Sequence, residues 1–105
     1  MVESKDKFKA EREQILNLLR MFKESNSVKY GIESLAIFGS VSRCEHTSES
    51  DIDILVELKS PSLYIYAGMK DDLERLLGRK VDIISAKSIV RNEFKESISK
   101  DLIYV

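Results

Sequence analysis

At 105 residues the chain has room for one domain, spanning 1–105, with a real but modest core. Hydrophobic residues at 43%, charged residues at 33% and a single proline exclude a disordered or low-complexity chain, and no apolar run approaches the roughly 20 residues of a membrane span. Seventeen basic residues scattered among eighteen acidic ones give a net charge of −1, which speaks against duplex nucleic acid as a partner.

The segment Met1 to Arg12 alternates acids with bases and lacks the apolar centre of a signal peptide, so a cytoplasmic location is expected. One cysteine, Cys44, allows no internal disulfide, and with the single histidine, His46, it leaves too few soft ligands for a structural zinc site. Any metal would have to be held by oxygen.

In chain order, Phe8, Ile15, Leu18, Leu19 and Phe22 recur near helical spacing and predict an amphipathic helix over about Lys5 to Ser25, ended by Asn26 to Gly31. Ser34 to Phe38 reads as a short apolar strand, broken at Gly39-Ser40, where a helical turn running to about Glu45 would begin. Backbone N–H groups at such a turn can face an anion. A polar loop, His46 to Ser50, leads into a second strand, Asp51 to Leu58.

Asp51 and Asp53 open that strand two residues apart, on one face and roughly 6.5 to 7 Å from each other. At an effective dielectric of about 20 their charges repel by roughly 2.4 kcal/mol unless water or a cation lies between them. Magnesium is the natural occupant, since it takes one or two carboxylates plus substrate phosphates; manganese accepts the same oxygen ligands.

Ser60-Pro61 predicts a helix N-cap followed by proline at the first helical position, and Leu63, Met69, Leu73, Leu76 and Leu77 form a core stripe up to a stop at Gly78. Asp71, Asp72 and Glu74 on this helix are expected to be solvated. Lys80 to Ser85 reads as a third strand, in which Asp82 among Val81, Ile83 and Ile84 would be costly to bury unpaired, so it looks like a third metal ligand. A last helix over Ser88 to Ser99 and a tail, Asp101 to Val105, complete the order α-β-α-β-α-β-α.

Gly39-Ser40, ten residues, then Asp51-Ile52-Asp53, with Arg43 and Ser50 between them, resembles the motif of the DNA polymerase beta-like nucleotidyltransferase superfamily. The match is to its minimal nucleotidyltransferase (MNT) branch, whose members pair with HEPN-domain proteins. Cys44 departs from the glycine usual after that arginine. The resemblance implies an α/β (α+β) fold with a small mixed sheet flanked by helices. It also implies catalytic, metal-binding carboxylates at Asp51, Asp53 and Asp82, and a phosphate cradle of Gly39, Ser40 and Arg43. The implied activity is magnesium-dependent transfer of AMP from ATP, with two ions possible, to a tyrosine hydroxyl of a HEPN toxin. The protein would then be the antitoxin of a type VII-like pair.

Other readings of the same residues stay open. Asp51 and Asp53 also suit a solvated edge strand, Asp82 the outer face of an alternating strand, and Arg43 a surface ion pair. Ser40 suits a helix N-cap, a role compatible with phosphate binding. Ser50 suits a turn. Cys44 and His46 lack a third group to orient them as a nucleophilic pair, and Tyr64, Tyr66 and Tyr104 suit packing as well as base stacking. At the level of function, an antitoxin acting by binding alone and a small-molecule nucleotidyltransferase of the aminoglycoside type are the alternatives.

Overall fold

The computed structural model describes residues 2–46, 49–88 and 92–105. Helix α1 runs from Val2 to Tyr30, and strand β1, Ile32–Phe38, follows it after Gly31. A single helical turn, α2 (Gly39–Ser42), precedes strand β2, Ile52–Leu58. Helix α3, Leu63–Leu77, then leads to strand β3, Val81–Ser85, a 3-10 turn at Ala86–Ser88, helix α4 at Asn92–Ser99 and strand β4 at Ile103–Tyr104.

The four strands form one mixed sheet in the order β3-β2-β1-β4. Strands β1 and β2 pair antiparallel, whereas β2 and β3 pair parallel across the α3 crossover. Alternation along β2 sorts its side chains by face. Ile52, Ile54, Val56 and Leu58 join Leu19, Leu35, Ile37, Met69 and Leu73 in the main core. Leu55 lies on the opposite face in a smaller cluster with Phe38 and Ile98. Asp53 and Glu57 share that second face by the same alternation.

Several expectations require correction. Helix α1 continues through Asn26, Ser27 and Val28 to Tyr30, because tertiary contacts outweigh weak local propensity. The Tyr30 ring stacks on Phe22 at 6.1 Å, its side chain is buried, and its hydroxyl donates to Asp72. Gly31, at φ +67°, provides the exit. The N-cap of α3 is Ser62, whose hydroxyl accepts from the Tyr64 N–H at 3.2 Å, and not Ser60 ahead of Pro61. Gly78 is the expected stop, in the left-handed conformation with its N–H bonded to the Glu74 carbonyl.

The predicted core stripe of α3 narrows to Met69 and Leu73, with Leu77 partly buried and both Leu63 and Leu76 exposed. Asp72 and Glu74 are not merely solvated: the first accepts from Tyr30, and the second accepts from the Val81 N–H at 2.9 Å. The tail is a fourth strand, with Ile103 opposite Ile37 and Tyr104 opposite Ala36. The final helix begins at Asn92, and the part of it expected over 89–91 lies outside the described residues.

Candidate active site

The end of β1 and the start of β2 meet where the site forms. Phe38 lies opposite Asp53 in the antiparallel pair, and Asp82 lies beside Asp53 in the parallel one. Adjacent strands are roughly 4.8 Å apart, so Asp53 and Asp82 stand on one face as near neighbours. Asp51 sits just before the strand, which begins at Ile52, and is exposed. It borders a cleft of about 360 Å³ with Glu49, Ser50, Gly78, Arg79 and Lys80.

Gly39 turns the chain directly over Asp53. Its φ is +76°, and a Cβ at this position would lie 2.2 Å from the Asp53 Oδ2. Both the backbone conformation and the contact therefore demand glycine. Phe38, in extended conformation, occupies the N-cap of α2, and no side chain caps it. Ser40 therefore lies inside the turn, correcting the N-cap reading, and among the described residues only its backbone carbonyl is bonded, accepting from the Glu45 N–H at 2.8 Å.

The carboxyl of Asp53 is pushed above its ordinary pKa, chiefly by burial and then by the charges of Asp82 and Asp51; Arg43 acts in the opposite direction. Arg43 directs Nε to Glu45 Oε2 at 3.0 Å and Nη1 to Asp101 Oδ2 at 2.6 Å, so the ion-pair reading describes its contacts in this state. Asp82 is exposed, not buried, which removes desolvation as the reason to expect a ligand there. What remains is its place beside Asp53.

Among the described residues, no three His, Cys, Asp or Glu side chains converge tightly enough to hold a metal ion by themselves. Magnesium needs no such cage, because substrate phosphates and water complete its shell. The donor set fits a hard cation: all oxygen, one carboxylate destabilised in its charged form by two others, and a backbone turn with no side chain in the way.

A family profile described as nucleotidyltransferase domain matches residues 19–105. The chain belongs to this nucleotidyltransferase family. A candidate protein adenylyltransferase of Methanocaldococcus jannaschii is 46% identical over 95 residues, covering 88% of this chain and 95% of its relative. The protein adenylyltransferase MntA of Thermococcus cleftensis is 32% identical over 94 residues, covering 89% and 94%. Among solved structures, a candidate minimal nucleotidyltransferase superposes with a TM-score of 0.66 at 31% identity, covering 94% of this chain and 93% of the other. A complex of tri-AMPylated Shewanella oneidensis HEPN toxin with MNT antitoxin matches with a TM-score of 0.58 at 19% identity, covering 92% and 70%, and so speaks to the fold alone.

In this nucleotidyltransferase, Gly39 and Asp53 are in contact, Asp82 adjoins them in register, and the Arg43 charge favours the ionised form of Asp53 against burial. Three further residues brace the chain around the site, none of them given that role from sequence. His46, expected to be a bystander, is 1% exposed, with its ring 4.6 Å from Phe8 and its Nε2 3.0 Å from Glu11 Oε2. Arg79 donates to the Ser50 carbonyl, bracing the residue before Asp51. Asp101 bonds to Arg43. None of these carries a local signal, because each acts through a partner distant in sequence.

Among the described residues, no helix is long and apolar enough to cross a membrane.

Proposed function

We propose that this nucleotidyltransferase moves AMP from ATP to a tyrosine hydroxyl of a HEPN-domain partner, with magnesium, as the antitoxin of a type VII-like pair. The observation that carries the reading is the seating of the Gly39 turn on Asp53, with Asp82 beside it on the next strand. Support for AMP and for a protein acceptor comes from the relatives named protein adenylyltransferase.

Asp51, Asp53 and Asp82 would hold the metal, one ion or two. When bound, it supplies charge neutralisation of the triphosphate and a lower pKa for the acceptor hydroxyl. The bare backbone of Gly39 and the Ser40 hydroxyl face the phosphates, and Arg43 offsets their charge. The acceptor oxygen forms a bond to the α-phosphorus as the bond to pyrophosphate breaks, and the hydroxyl proton passes to the exposed carboxylate of Asp82. The cleft that Asp51 borders measures about 360 Å³, little from which to build a closed acceptor pocket, while Leu63 and Leu76 on α3 remain exposed to a partner. The partner therefore presents the hydroxyl.

The test is to incubate the protein with ATP, Mg²⁺ and a purified HEPN protein and weigh that protein by intact mass spectrometry. An AMP increment that disappears with Asp53→Asn is expected. A HEPN protein neutralised but left at its original mass would establish binding alone instead. Transfer by the chain alone to an aminoglycoside would replace the protein acceptor with a small molecule.

A further inference from the structure

The turn that lies over Asp53 is held from behind by a residue far along the chain. Asp101 accepts from Arg43 Nη1 through its carboxylate, 58 residues away, and from the Ser42 hydroxyl through its backbone carbonyl, 59 residues away. Arg12 Nη1 donates to the Ser42 carbonyl at 2.7 Å from the α1 side. The pairing of β4 with β1 accounts for this reach. Ile103 opposes Ile37, two residues before Gly39, so the segment just ahead of β4 arrives beside α2. Asp101 is itself fixed by its N–H bond to the Ile98 carbonyl at 2.9 Å.

Of the two acids on Arg43, Asp101 is the better placed to set its orientation. Its side chain is 19% exposed, against 66% for Glu45, and ion pairs freely exposed to water hold their partners weakly. Two of the three guanidinium nitrogens are directed by these acids, which fixes the plane of the fork. The charge so oriented reaches Asp53.

We infer that Asp101 is a positioning residue for nucleotide binding: through Arg43 and Ser42 it sets the Gly39–Arg43 turn over the carboxylates without itself touching the nucleotide. Asp101 has this role only if the turn carries phosphate, as proposed above. A solely structural role would lower stability and leave the nucleotide affinity of the folded protein unchanged.

The experiment compares parent, Asp101→Ala, Asp101→Glu, Arg43→Ala and the Arg43→Ala/Asp101→Ala double variant. ATP affinity with Mg²⁺ is measured by calorimetry, and transfer to the HEPN protein at saturating ATP. Asp101→Ala should weaken ATP binding by about three- to tenfold, with kcat changed by less than about twofold. Asp101→Glu should recover part of the loss, and Asp101→Ala should add little once Arg43 is alanine. The amides of Arg43, Cys44 and Glu45, which bond within the turn, should exchange faster in Asp101→Ala. If Asp101→Ala melts too early for calorimetry, Asp101→Asn, which keeps an acceptor and loses the charge, takes its place. Equal or tighter ATP binding in a folded Asp101 variant overturns the assignment. A parent protein that binds ATP but transfers nothing refutes the proposed function and leaves Asp101 to be judged on affinity and exchange. A parent that binds no nucleotide refutes both.

Discussion

Gly39→Ala should damage the site through Asp53, and the damage can be separated from the backbone cost. A side chain at φ +76° costs about 1–2 kcal/mol in the left-handed region. In addition, the new Cβ would meet the Asp53 Oδ2 at 2.2 Å and Cγ at 3.2 Å. Relief requires turning the carboxylate off its rotamer, at about 0.5–1.5 kcal/mol. The single substitution should therefore cost about 1.5–3.5 kcal/mol and abolish the proposed AMP transfer, because the carboxylate has moved. With Asp53→Ala already present, only the Asp53 Cβ remains, at an ordinary 3.5 Å, so Gly39→Ala should then cost only the backbone share. Urea unfolding of the four proteins closes a double-mutant cycle with an expected coupling of about 0.5–1.5 kcal/mol. Additive costs, agreeing within about 0.3 kcal/mol, would refute the contact as the reason glycine stands there.

Asp53→Asn should alter the pH dependence of stability. Because the folded pKa of Asp53 is raised above 3.8, the native state binds more protons than the unfolded state between that value and the folded pKa. Stability therefore falls as pH rises through this window, and the full deficit persists above it. Asparagine removes the effect, so the variant should gain on the parent across the window in urea midpoints; a difference independent of pH would contradict the shift. Cys44 has φ 59° and is buried, so Cys44→Gly should stay within about 1 kcal/mol of the parent, as relief of the backbone offsets lost burial and chain entropy. Cys44→Val, β-branched at positive φ, should cost more than about 2 kcal/mol by thermal unfolding; equal stability of the two variants would count against strain at this position. Ser62→Ala should cost about 0.5–2 kcal/mol as a lost cap, whereas Ser60→Ala should be neutral; the reverse order in urea melts would restore the original N-cap assignment.

The turn and strand that carry the candidate site were more legible in sequence than the scaffold that braces them. Gly39 and the Asp-x-Asp pair are adjacent along the chain to the turn and strand that position them, so local patterns carried the information. Asp82 lacks the burial that its sequence neighbours suggest; what places it in the candidate site is a parallel register with Asp53 that only the sheet order establishes. Strand β4 escaped notice because two paired residues in a short tail carry no periodicity, and their pairing depends on β1 offering a free edge. Helix α1 outran its predicted end because Tyr30 finds Phe22 and Asp72 as partners, contacts that propensity cannot anticipate. Leu63 and Leu76 fit the helical period of α3 yet face outward, since periodicity gives a stripe but not its width.

Among the described residues strand β3 is an outer strand of the sheet, and its five residues are Val81, Asp82, Ile83, Ile84 and Ser85. Exposed edges of β-branched residues recruit other chains, and a charge within them is a common safeguard. Asp82 supplies the only charge in this strand. Exchanging it for valine would leave Val-Val-Ile-Ile-Ser, a run of high β-propensity and no charge, so the loss would be felt in solubility as well as in chemistry. If Asp82 also serves the proposed chemistry, the position answers to two separate demands, and the need for a polar residue at this edge would outlast the loss of the other.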